Sequence, residues 1–546
     1  MRAISRILLA GFLLAAVCNA QDKKAAEKPA DLSLTAVGRQ HHPIHTSSKE
    51  AQDYFDQGIT LIYGFNHEEA VRSFQKAAEL DPQSPMPLWG IAMAVGPNYN
   101  QEIDLDREKI AYDTIQKAAK LAEKAPQVEQ DYVATLALRY SNVVEPNYKK
   151  LAMVYSEGMR KLSLKYPEDL DAATMYAESL MNLNPWKLWT PDGKPAEHTE
   201  EIVRVLESVL TREPNHAGAN HYYIHALEAS PTPHRALPSA QRLETLVPQA
   251  GHLVHMPSHI YARTGDFSQA VEQNAIAARV DKKYAEEANR GGSMYDLMYH
   301  SHNEHFLASA ASMEGRYADA KGAADAMAAR LMPHATMMPM LDGFIMTPLW
   351  VDARFSKWDS ILAHPEPPVE LAETHLMWRY VRALAFASQR DSTKAAAEIA
   401  TFEKEEVAIP ADRPIGLQPT SKVVHQVMHE VLAARLNEAQ GKQEDAIKHW
   451  QAAVEAQDKL LYDEPQDWYY PVRESLGAAY LRMHKASDAE MVFREDLRRN
   501  PRNPRSLFGL REALIAQRSD ADAAWVDAQF KEQWKRADVE LKLGDL

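Results

Sequence analysis

Residues 54–82 read YFDQGITLIYGFNHEEAVRSFQKAAELDP. Tyr54, Gly58 and Leu61 recur at the three-and-four spacing of one helix face, and Ala70, Phe74 and Ala77 repeat it. Small residues at Gly58 and Ala70 let two such helices approach closely, with Phe74 filling the gap between them. Asp81-Pro82 stops the second helix, because proline cannot donate to the helical ladder and clashes with the preceding turn. The stretch is therefore a helical hairpin, and it sets the pattern for the chain.

The same grammar returns in Arg473, Leu476-Gly477, Tyr480, Ala489, Phe493 and Pro501. In both units the small residue of the first helix precedes the alanine of the second by 12 residues, as Ser258 precedes Ala270 and Ala308 precedes Ala320. Further hairpins are expected around 85–125, 127–165, 169–213, 340–364, 369–405 and 424–458, with insertions at 96–106, 184–199 and 408–420. Trp186 and Trp189 in the second insertion are candidates to roof a groove. The expected class is an all-α solenoid of repeated hairpins.

On these residues, and on YGFNHEEAVRSF, IHALEAS, GHLVHMPSHIYARTG and SLFGLREAL, the chain over roughly residues 50–520 resembles the tetratricopeptide repeat (TPR) superfamily. Within it the chain resembles a group of exported bacterial repeat proteins. The resemblance implies a right-handed superhelix whose first helices line a concave groove, and ligand binding far more often than catalysis. It brings no particular reaction with it.

A length of 546 residues exceeds one compact core. With 45% hydrophobic and 25% charged residues the chain reads as folded, and a net charge of −15 without basic blocks argues against nucleic acid or anionic membrane as partner. Arg2 and Arg6, the apolar run Ile7–Val17 and the small residues to Ala20 read as a signal peptide, so export is expected. An uncleaved anchor or a lipoprotein acceptor at Cys18 are the alternatives. Cys18 is the one cysteine, so cleavage would leave any metal to His, carboxylate or Met. The organisation expected is a signal at 1–20, a leader at 21–49, repeats at 50–215, His-rich repeats at 216–330, further repeats at 331–520 and a C-terminal helix at 521–546.

Nine of the chain's 22 histidines, besides His234, fall between His216 and His305. On helices, His221, His225 and Glu228 share one face, His252, His255, His259 and Arg263 a second, and Met298, His302 and His305 a third. His221 and His225 precede His255 and His259 by 34 residues each, one repeat period. Equivalent positions on successive first helices stack, so His221, His225, His252, His255, His259, His302 and His305 are the candidate ligands of a transition metal (Zn, Cu or Fe), mononuclear or dinuclear. In an enzyme reading Glu228 is the proton acceptor and Arg263 steadies a developing anion. In a binding reading the centre serves a metal ion, a peptide or a small molecule in the groove. An anion pocket and a structural hydrogen-bond network are the alternatives to metal. Pro257 is expected to kink or start a helix and so puts the aim of His252 and His255 in question. The Met-rich stretch 331–340 suits Cu(I) or core filling; His425 with His429, and His41, His42 and His45, are further groups that could reach the groove.

Overall fold

A computed structural model describes residues 40–413, 415 and 421–546; the expected signal peptide and most of the leader lie outside them. Among the described residues the protein is all-α, built from paired helices with no β-strand. The opening stretch folds as helix Lys49–Tyr63, a turn, and helix His67–Leu80. Asn66 caps the second helix, its side-chain oxygen accepting from the Glu69 amide at 3.2 Å. The other expected hairpins form in order, among them Met86–Val95 with Leu105–Ala122, Leu170–Met181 with Thr199–Arg212, and Ser421–Ala439 with Gln443–Gln457.

Phe74 shows how the hairpins stack. An added Cβ at Gly58 in its own repeat, or at Gly90 in the next, would overlap its ring. The phenyl group thus fits a slot cut by two glycines, one of them invisible within a single repeat. Gly477 and Gly509 enclose Phe493 in the same way. A continuous apolar core runs from Phe55 to Ala479, and a second from Ala478 to Leu546. This is TPR-like architecture.

The C-terminal repeats return against the central ones. Arg502 pairs with Asp266, and the Asp538 carboxylate accepts from the Tyr317 and Ala318 amides at 2.7 and 2.8 Å. At the other end the segment from Gln40 packs inward, burying His42 with Nδ1 2.9 Å from Asp171 Oδ2. No helix among the described residues is long and apolar enough to cross a membrane.

Candidate metal centre

Three first helices carry the histidines: Ala217–Leu227, the broken pair Gly251–His255 and Pro257–Thr264, and Ser301–Glu314. Proline has no amide to donate, so it starts a new helix at position 257, with Met256 at the joint. Met256 keeps helical dihedrals, φ −51° and ψ −37°, and the break leaves His252 and His255 facing inward. The stripe nevertheless divides, His252 going to one group and His255 with His259 to another.

His221, His225 and His252 bring ring nitrogens within 4.8 Å of one another, and so do His255, His259 and His302. In the first trio His221 Nδ1 donates to the Tyr63 carbonyl at 2.6 Å and His225 Nδ1 to Glu228 Oε1 at 2.9 Å. The Nε2 atoms of His221 and His252 then stand 3.2 Å apart, and His225 Nε2 is buried without a partner. In the second trio His255 Nδ1 donates to Asn274 Oδ1 at 2.6 Å, an amide fixed by its own bond to the Ala270 carbonyl at 2.7 Å. His255 Nε2 faces His259 Nε2 at 2.8 Å, with the His302 ring 4.6 Å from that of His255. Outer oxygens that fix one ring nitrogen and free the other are what metal-bound imidazoles commonly show. Two ligands of a tetrahedral ion with bonds of about 2.0–2.1 Å stand about 3.3 Å apart, close to the first spacing.

Glu228 joins the two groups. Its Oε1 accepts from His225, and its Oε2 lies 2.7 Å from His259 Nδ1, where Glu464 Oε2 also arrives at 2.8 Å. Burial, with the charges of neighbouring rings, pushes His221, His252, His255 and His302 well below the ordinary imidazole value, so these rings are neutral. Burial acts on His259 too, but the Glu228 and Glu464 carboxylates overcome it and raise His259 to about 10. Burial would lift Glu228; its contacts with His259 and His225 hold it low instead.

Two expected residues sit elsewhere. His305 packs on Phe344 and Trp350, ring centroids 5.4 and 5.8 Å away, outside both trios. Three residues on from His302 a helix has turned about 300°, so the two rings leave its surface about 60° apart. Arg263 donates from Nε to the Glu228 carbonyl at 2.9 Å and lies over the Tyr462 ring; it braces a backbone turn rather than facing the imidazoles. His425 pairs with Glu373 at 2.9 Å and His429 with Glu406, apart from the centre. Of the Met-rich stretch, Met338 is buried in a separate apolar cluster while Met337 is exposed.

The histidine wall is covered rather than open. Tyr99 and Trp186, from the first two insertions, stack on each other and sit 5.3 and 6.0 Å from the His225 ring, as Phe65 does at 5.9 Å. Trp189 donates to the Ala226 carbonyl at 2.7 Å. Glu464 and Asn274 were not readable in advance: Glu464 lies in an irregular loop far down the chain, and Asn274 is one polar residue on a second helix.

No protein-family model and no curated protein matches the sequence. Among solved structures the chain is similar to a human IFIT1 dimer with m7Gppp-AAAA, at 14% identity over 90% of this chain and 91% of that one, with a TM-score of 0.31. It is also similar to yeast Tom70, at 12% identity over 90% and 97% of the chains and a TM-score of 0.31. A structure of Naa15/Naa10 bound to HypK-THB scores 0.24 at 12% identity, over 90% of each chain. At such scores the fold rests on the hairpin geometry above.

Proposed function

We propose that this is an exported TPR-like protein that binds transition-metal ions on two histidine trios, one formed by His221, His225 and His252 and the other by His255, His259 and His302. One observation carries the reading: inside each trio two buried Nε2 atoms face each other, at 3.2 and 2.8 Å. In the second trio both facing rings also turn Nδ1 toward a side-chain oxygen. In the first trio His221 Nε2 presents a lone pair that His252 can meet with its own N–H or share with a metal ion. In the second, both Nδ1 atoms face oxygens, so a further proton or a metal ion must lie between the two Nε2 atoms. The signal-like stretch from Arg2 to Ala20 supports export, and a binding role suits a TPR-like scaffold.

A second reading, a metalloenzyme on the same residues, draws on ligand number. Three imidazoles per ion leave a coordination position for water or substrate, as catalytic zinc sites do. Elemental analysis of protein supplied with Zn, Cu, Fe and Mn, beside a His221→Ala/His259→Ala variant, tests the metal reading. Bound metal in the parent and its loss in the variant are expected; a metal-free parent would sink it. An exchangeable water on the bound ion would favour the enzyme, and a ligand-saturated ion the binding module.

A further inference from the structure

Beside the second trio His259 Nδ1 faces two carboxylate oxygens, Glu228 Oε2 at 2.7 Å and Glu464 Oε2 at 2.8 Å, and none of the three atoms has a hydrogen-bond partner outside this group. All three lie within 4.8 Å of one another, on side chains 1%, 2% and 6% exposed. The ring has one Nδ1 proton for two oxygens, so one buried carboxylate oxygen is left short of a donor, which costs free energy that a fully hydrogen-bonded core avoids. The nitrogen is 2.7 and 2.8 Å from the two oxygens, and neighbouring ligands of a six-coordinate ion with bonds of about 2.0–2.1 Å stand about 2.9 Å apart. Glu228 and Glu464 converge on one ring, His259, which offers at most one positive charge to two carboxylates; a divalent ion would supply two.

We propose that Glu228, His259 and Glu464 form a third cation position, separate from the trios, for a hard divalent ion such as Mn2+. Carboxylate oxygen favours hard cations, while the all-imidazole trios suit Zn, Cu or Fe. The position rests on the trio reading in that His259 serves both, through Nε2 there and Nδ1 here. With a cation on either side the ring releases its remaining proton to solvent and bridges as imidazolate. Glu464 comes from the loop between helices Gln443–Gln457 and Val472–Arg482, and its other oxygen accepts from the Tyr462 hydroxyl. An ion here therefore fastens that loop to the central repeats.

The test uses Mn2+ alone on the metal-stripped full chain, by equilibrium dialysis and elemental analysis. A His252→Ala/His302→Ala variant removes a ligand from each trio and none from this position; it should still take one Mn2+ per chain. Adding Glu464→Gln should weaken that binding at least about tenfold. Unchanged Mn2+ affinity in the Glu464→Gln protein, or no Mn2+ bound by the parent, overturns the proposal. If Zn, Cu and Fe all fail to bind while a Glu464-dependent Mn2+ persists, the trio reading fails and this one stands. Should Glu464→Gln not fold, by circular dichroism, Glu464→Asp keeps the charge but withdraws the carboxylate by one methylene. The same loss is expected of it, and full affinity would again overturn the proposal.

Discussion

His255 and His259 meet nitrogen to nitrogen, Nε2 to Nε2 at 2.8 Å, one turn apart across the start of a proline-led helix. Each ring turns its Nδ1 toward a side-chain oxygen, so something positive must lie between the facing nitrogens. In the metal-free protein that is a proton on His259, whose raised value of about 10 follows from Glu228 and Glu464.

Metal must displace that proton. Below about pH 10 the affinity of the second trio should rise with pH, up to about tenfold per unit for one proton. Calorimetry at pH 7 in buffers of different ionisation enthalpy should count at least one proton released; a count of zero contradicts the arrangement. The same shift bears on the apoprotein. A raised His259 stabilises the fold fully below its unfolded value of 6.5, and this is lost as pH climbs through about 10.

His302 and His305 separate ligand from neighbour. His302→Ala should remove most metal from the second trio, while His305→Ala, cut from its place against Phe344 and Trp350, should leave metal content unchanged. Elemental analysis of the two purified variants reads the difference.

Asp281 should make the fold weaken as pH rises. Burial lifts its carboxyl to about 7, while Tyr295 and Asn303 donate to it at 3.0 and 2.6 Å. The folded state holds this proton more tightly than the unfolded chain. The contribution is full below the unfolded value of 3.8 and lost as pH passes about 7, at up to about 1.4 kcal/mol per unit. Urea unfolding at pH 5 and pH 8 should show the slope, and Asp281→Asn should flatten it.

Phe74 in its two-glycine slot should be costly to change. Phe74→Ala is expected to destabilise by about 3–5 kcal/mol, and Gly90→Ala by about 1–3 kcal/mol through overpacking. Urea midpoints measure both.

The hairpins were legible because Gly58, Ala70 and Phe74 repeat their spacing, and a period of 34 residues put His221/His225 and His255/His259 in register. Their division into two trios was not legible. It depends on which neighbouring helix each ring meets: His252 goes to His221 and His255 to His259. His305 shared a sequence stripe with His302, yet about 60° of helix rotation was enough to send it to Phe344. Glu464 carried no periodicity, since a loop residue is placed by the path of the whole superhelix.

A repeat array ordinarily frays from its ends, each unit leaning only on its neighbours, so that its unfolding is graded. The Asp538 carboxylate on the Tyr317 and Ala318 amides, and Arg502 on Asp266, tie the last units to the middle of the chain. The terminal repeats thus cannot peel away without uncapping a central helix. Melting of this molecule should have the sharpness of a globular domain rather than the breadth of an open spring.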